Sequence, residues 1–329
     1  MNPYNDSEIR VTCKSDQYDP FWEISKYIGT LFYQGIGLIL HILIIKTILF
    51  TERQYYSRSS FFQIFVTDSI ASSILICSSL FYGRLFMYVT PLCKIASPYF
   101  WSPSILLQFM YTVPNHVRFS KSLTQIAMVL NRMTCVLFPT SYDKIWRKMT
   151  PVVWVCLILL PFVGNWNCLI SRIYMDSFRG GFTMNYMRAV DWAALSMFQS
   201  VFILTALLFT VICTLITVYK LVLLPGRVKS IEKSLCMSCI FLSCSFLLVG
   251  ASQAAIAFCP ICRTQTYFSL FNAQLIAFDV FTVGSAVIMI ITDTKLRSAV
   301  FPCTFREDKP SVEPSKVRVR SAFRSVSMN

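Results

Sequence analysis

Ionisable side chains are scarce in the apolar runs of this chain, and those that interrupt the runs are the groups able to do chemistry. His116, Arg118 and Lys121 fall together in the stretch 104–136, just after Pro114. Arg118 and Lys121 are three residues apart, which puts them on one face of a helix. Asp68 is the one charge in 60–82, and Asp279 is the one charge in 267–292. Acids on two apolar segments and cations on a third can form buried ion pairs or hold a charged small molecule. A fourth cation, Arg132, ends the third stretch in Leu130-Asn131-Arg132-Met133, with Pro139, Tyr142 and Trp146 following. Hydrolytic chemistry has no support. The two histidines, His41 and His116, lie in separate apolar runs, where a lone histidine is expected to hydrogen-bond within the bundle. No Ser-His-Asp order, His-Glu-x-x-His or phosphate loop occurs, so no catalytic residue, cofactor or metal is expected. Cys259-Pro260-Ile261-Cys262 has the spacing of half a zinc site but lacks a second pair.

The elements that must position these groups follow from composition. The chain is 55% hydrophobic and 14% charged, against about 25% charged in soluble domains. A spanning helix needs about 20 mostly apolar residues. Seven stretches qualify, at about 27–49, 60–82, 104–136, 151–171, 192–219, 235–258 and 267–292. Their length excludes barrel strands of about 10 residues. The expected fold is an all-α membrane protein, a seven-transmembrane helix bundle. At about 1.5 Å of rise per residue, Asp68, Lys121 and Asp279 all come near mid-membrane. Charges there are costly and must be paired or face water. An intramembrane polar cluster of Asp68 and Lys121, with Asp279 near it, is therefore predicted. His116 and Arg118, further along the third span, would line a ligand cavity. Such a cationic lining suits a carboxylate or other anion.

Orientation follows from the loops. With the amino terminus outside, 19 lysines and arginines fall on inner segments and nine, Arg84 among them, on outer ones. Basic residues favour the cytoplasmic side, so the net charge of +14 is explained by topology rather than by nucleic acid. No basic n-region opens the chain, and the first span is expected to act as its own signal. Asn5-Asp6-Ser7 is a glycosylation sequon on the expected outer tail. Cys13, Cys93, Cys168, Cys259 and Cys262 are disulfide candidates by location. The domain plan is an extracellular tail over 1–26, a seven-transmembrane body over 27–305 and a disordered cytoplasmic tail over 306–329, rich in Ser, Pro, Lys and Arg.

The run from Leu130 through Arg132 to Pro139, Tyr142, Ile145 and Trp146 resembles the second intracellular loop of G-protein-coupled receptors. With the Asp68 span and the closing Thr292-Asp293-x-x-Leu296-Arg297, the chain resembles the nematode serpentine receptor class gamma (Srg) chemoreceptors over roughly residues 20–305. The resemblance implies a sensory-neuron receptor at the plasma membrane, in cilia. It would bind a small environmental or pheromone chemical and activate a heterotrimeric G protein through Arg132, Asn131, Pro139, Tyr142 and Trp146. Rhodopsin-like receptors often hold sodium near an acid in span two; here the Lys121 ammonium would take that place. Departures matter. Asn131 stands where an acidic residue usually precedes the arginine. Span seven lacks Asn-Pro-x-x-Tyr and span six lacks proline. The segment 172–191 has no cysteine, so an outer bridge must use another pairing, for example Cys93 with Cys168 or Cys13 with Cys262, and connectivity is left open. The alternative is a seven-helix ligand-gated channel or transporter, although no internal repeat supports it.

Overall fold

The computed structural model describes residues 8–11, 13, 19–178, 181–223, 230–259 and 267–302. Asn5, Cys262 and the tail 306–329 lie outside the described residues. The chain is mostly helical. The long helices are α1 (Pro20–Lys46), α2 (Ser60–Tyr88), α3 (Ile105–Leu137), α4 (Tyr142–Ile170), α5 (Leu195–Leu223), α6 (Ser230–Phe258) and α7 (Tyr267–Thr292), followed by the short α8 (Thr294–Val300). Six of them, all but α3 and α8, are long and apolar enough to cross a membrane. Their outward faces carry Phe32, Ile39, Leu159, Val163, Leu208 and Leu215, all exposed. A water-soluble surface would not tolerate apolar patches of that extent.

Local signals start the helices. Asp19 caps α1 by accepting from the Phe21 amide at 2.9 Å, with Pro20 in the first turn. Ser104 caps α3 through the Leu107 amide at 3.1 Å, and Asp293 caps α8 through Leu296 at 2.9 Å. Around the bundle, α1 packs on α2 and α7, α7 on α6, and α6 on α5. Helix α3 runs through the middle and touches α2, α4, α5 and α6. One buried cluster, built on Tyr56, Phe61, Phe65, Met128, Trp146 and Met289, fills the end near Arg132. Another, with Leu107, Ile173, Met175 and Phe182, surrounds a Cys13–Cys93 disulfide at the opposite end.

Several expectations are corrected. Cys93 pairs with Cys13, not with Cys168. Cys168 is a free, buried thiol in α4, and its carbonyl accepts from Gln108. Cys259 is disulfide-bonded. The segment after α4 is not a plain loop but an antiparallel hairpin, β1 (Arg172–Phe178) and β2 (Gly181–Met187), so the fold is not wholly helical. Helix α4 begins at Tyr142 and runs through Pro151, so most of the expected loop is helix. Helix α2 continues past residue 82 by way of a π-helical turn, Ser79–Arg84. The extra residue in such a turn rotates everything after it, and Arg84 is carried into the interior, 4% exposed, rather than onto an outer loop.

The hairpin is held down at Gly181, which pairs with Phe178 at the end of the ladder. A Cβ there would overlap the backbone carbonyls of Phe86 and Met87 at the end of α2. Phe182 stacks on Phe86 at 4.8 Å beside it. Gly181→Ala should therefore lift the hairpin from α2 and cost about 1–3 kcal/mol. A lower thermal unfolding midpoint of the purified protein checks this; an unchanged midpoint would show that the contact yields freely.

Candidate functional site

Three polar layers are stacked through the bundle. The middle one joins α2 and α3. The Lys121 ammonium donates to Asp68 Oδ1 at 2.8 Å and to Ser72 Oγ at 2.7 Å. It also lies 4.7 Å from the Phe281 ring of α7. Both charged residues are 1% exposed. Asp68 Oδ2 has no hydrogen-bond partner among the described residues. His41 of α1 is also fully buried, with Nε2 3.0 Å from the Thr282 carbonyl oxygen. Since a carbonyl only accepts, that nitrogen carries the proton.

Asp279 does not join this layer. It forms its own, nearer the disulfide end, with the arginine that the π turn brings inward. Arg84 Nη2 donates to Asp279 Oδ2 at 2.6 Å, and Arg84 Nη1 donates to the Tyr33 hydroxyl at 2.7 Å. Tyr33 in turn donates to Asp279, whose Oδ1 accepts from Gln34 Nε2 at 2.6 Å. This layer ties α1, α2 and α7 together. Depth along the helices predicted mid-membrane acids but not this partner, because Arg84 lay beyond the expected end of span two.

The third layer surrounds Arg132, 4% exposed. Its Nη2 donates to Asn131 Oδ1 at 2.6 Å and to the Tyr142 hydroxyl at 3.1 Å. The guanidinium carbon lies 4.3 Å from the Phe61 ring, a cation–π distance. Asn131 Nδ2 donates to Ser60 Oγ at 3.0 Å, and Tyr142 donates to Asn131 Oδ1 at 2.9 Å. Trp146 donates to Thr134 Oγ1 at 2.7 Å, which pins α4 against α3. Pro139 follows α3 directly, between Phe138 and the start of α4. Arg132, Asn131, Tyr142 and Trp146 are thus one contact set linking α2, α3 and α4, with no carboxylate in it.

Between the first layer and the hairpin lies a cavity of about 660 Å³. Met110, Tyr111, Asn115 and Arg118 of α3 form one wall, β2 and Arg188 another, and Gln253, Gln274 and Phe278 of α6 and α7 a third. That volume suits a drug-sized ligand. Arg118 lines it; His116 does not. His116 packs 4.5 Å from Phe162 of α4, which corrects the expectation that it shares the ligand cavity. Arg84 faces the cavity too, a position that α2's early predicted end concealed. Gln253 and Gln274 were also missed, since neutral amides in an apolar run carry no charge signal.

Residues 27–300 match the profile of the Srg family chemoreceptors. The chain belongs to this family. Similar proteins of Caenorhabditis elegans agree. Serpentine receptor class gamma-16 is 45% identical over 324 residues, covering 98% of each chain. Serpentine receptor class gamma-15 is 49% identical over 306 residues, or 93% of this chain and 95% of that one. Serpentine receptor class gamma-17 is 48% identical over 284 residues, or 86% and 88%. The chain is therefore a multi-pass integral membrane protein, a serpentine chemoreceptor by family. Its polar layers lie within the matched region, which begins inside α1 and ends with α8.

The Asp68–Lys121 pair gives a direct test of the buried charges. Removing one partner of such a pair costs about 3–5 kcal/mol, whereas apolar replacement of both is often neutral. Asp68→Asn should therefore strip the receptor from the cell surface. The double variant Asp68→Leu with Lys121→Met should restore much of it. Flow cytometry of a tagged receptor reads the result, and equal loss in both variants would place the cost elsewhere than in the unpaired ammonium.

Proposed function

We propose that this Srg protein is a seven-transmembrane chemosensory receptor that binds a small molecule in the cavity beside Arg118 and activates a heterotrimeric G protein at the Arg132 end. α3 is the seventh span in this reading. It is less apolar than the other spans because it carries His116, Arg118, Lys121 and Arg132 together with Gln108, Asn115, Gln125 and Asn131. Each of the three cations is met inside the bundle by an ion pair, an amide or an aromatic face, which lets a charged helix sit in lipid. The amino terminus lies outside, as the excess of basic residues toward the Arg132 end favours. The disulfide and hairpin are then extracellular, at the plasma membrane of a sensory cell, where oxidising conditions keep the bridge closed. Asn5 is a glycosylation site on the same side.

The observation that carries the coupling reading is the contact set of Arg132. In the resting state its guanidinium is held by Asn131, Tyr142 and Phe61. All are neutral, so the restraint is weaker than an ion pair. Coupling follows release of Arg132 from this set, with Pro139, Tyr142 and Trp146 shaping the surface that the G protein meets. The cavity touches α3, α5, α6 and α7, and α3 runs from the cavity to Arg132. A ligand that binds the two arrangements of α3 unequally shifts the balance between them.

Nucleotide exchange on a co-expressed G protein tests this. Arg132→Ala should lower exchange at least ten-fold at equal surface expression. Asn131→Asp adds a carboxylate next to Arg132 and should reduce basal exchange. Signalling indifferent to Arg132→Ala would remove the coupling role, and ion current from the purified protein in bilayers would favour a channel instead.

A further inference from the structure

Two arginines of α3, Arg118 and Arg132, have no charged partner among the described residues; Arg132 is enclosed by Asn131, Tyr142 and Phe61, whereas Arg118 faces the cavity. Lys121 has Asp68 and Arg84 has Asp279. Arg118 has no carboxylate within ion-pair distance among the described residues. Its contacts are a long hydrogen bond from Nη1 to Asn115 Oδ1 at 3.4 Å and the face of Phe278 at 5.3 Å. Asn115 is itself oriented for this, since its Nδ2 donates to the Tyr111 carbonyl at 2.8 Å and so leaves Oδ1 for the arginine. None of the described residues lining the cavity is acidic. Arg118 is half-buried where it lines the cavity, and a partly desolvated guanidinium without a counter-charge is unfavourable. The cavity that it lines is where a counter-charge can enter.

A second polar group stands one helical turn away. Ser200 donates its hydroxyl hydrogen to the Ser196 carbonyl at 2.7 Å. Its oxygen must then accept from Gln253 Nε2, at 3.0 Å. That fixes the Gln253 amide, whose Oε1 accepts from Gln274 Nε2. The chain is therefore directional, and it leaves Gln274 Oε1 as an acceptor with no described donor. Gln274 is four residues before Phe278, the residue on which Arg118 rests. Gln274 and Phe278 are thus one turn of α7 apart, a rise of about 6 Å, and both line the cavity with Arg118.

We propose that the cavity takes an organic monoanion whose carboxylate or sulfate binds Arg118 and whose hydroxyl donates to Gln274. The rest of such a ligand would be apolar, against Met87, Met110, Ile256 and Phe271. This assignment rests on the cavity being the ligand site, and the two ideas fail differently.

The probes are 6-hydroxyhexanoate, hexanoate, the methyl ester of the hydroxy acid, and 6-amino-1-hexanol. Each is titrated into the full-length receptor in lipid nanodiscs, and the unfolding midpoint reports binding. Charge-assisted hydrogen bonds are strong enough to separate the probes by an order of magnitude. The hydroxy acid should bind at least ten-fold tighter than its ester. Arg118→Gln should erase that difference, and Arg118→Lys, which keeps the charge, should retain part of it. Gln274→Leu should bring the hydroxy acid down to the level of hexanoate. An ester or amine that matches the acid, acid binding that survives Arg118→Gln, or no stabilisation by the acid would each overturn the anion assignment. Gly83→Trp fills the cavity from a position where a Cβ meets only the Ser78 carbonyl, at 3.9 Å. If this change abolishes binding of a neutral or cationic probe, the cavity stands as the ligand site and only the anion class falls. Probe binding indifferent to Gly83→Trp would instead sink the cavity reading.

Discussion

A charge cannot be left alone in a low-dielectric interior, and the arrangement of this bundle follows from that constraint. α3 carries three cations, Arg118, Lys121 and Arg132, spread over about four turns. Each is met by a different neighbour: Arg118 by Asn115 and Phe278, Lys121 by Asp68 and Ser72, Arg132 by Asn131, Tyr142 and Phe61. Those neighbours sit on α2, α4 and α7 as well as on α3 itself. Holding α3 at the centre is thus as much an electrostatic requirement as a packing one. α4 past Lys148 and α5 are the more uniformly apolar stretches, while α1, α2 and α7 supply the Arg84–Asp279 layer without α3.

The layers differ in how they satisfy that constraint. Asp68–Lys121 and Arg84–Asp279 are ion pairs reinforced by hydroxyls and amides. Such pairs add little net stability over apolar residues of the same volume, but they penalise any arrangement that separates the partners. They fix the register of α2 against α3 and of α1 and α2 against α7. Arg132 is held only by neutral groups, so its contacts separate at lower cost. The bundle is therefore stiffly registered near the middle and the disulfide end, and more easily rearranged at the Arg132 end.

Much of this was legible in the sequence, for physical reasons. Asp68 and Lys121 interrupt strongly apolar runs, and a rise of about 1.5 Å per residue puts them at one depth. Arg132, Asn131, Tyr142 and Trp146 were legible as a group because they are close in sequence, on and just after one helix. Arg84 was not, because nothing in Ser79-Leu80-Phe81-Tyr82-Gly83-Arg84 announces a π turn, and without that turn the arginine would face elsewhere. The hairpin was overlooked although Gly180-Gly181 between two runs of mixed polarity is a turn signal. Cysteine pairing is set by where chain ends meet in space, and Cys13 and Cys93 are 80 residues apart. Gln253 and Gln274 matter through their mutual orientation, which no one-dimensional pattern carries.

The composition of the Arg132 contact set bears on what the protein would report. Where an acid restrains such an arginine, taking up a proton weakens the restraint, so acidity on that side of the membrane bears on it. Here the restraining oxygens are an amide carbonyl and a phenol, beside an aromatic face, and no carboxylate whose charge could be lost stands among them. On the proposed reading, the cytoplasmic trigger is deaf to protons. A fluctuating chemical background of acids would change the charge of the ligands arriving at the cavity without altering how tightly the trigger is held.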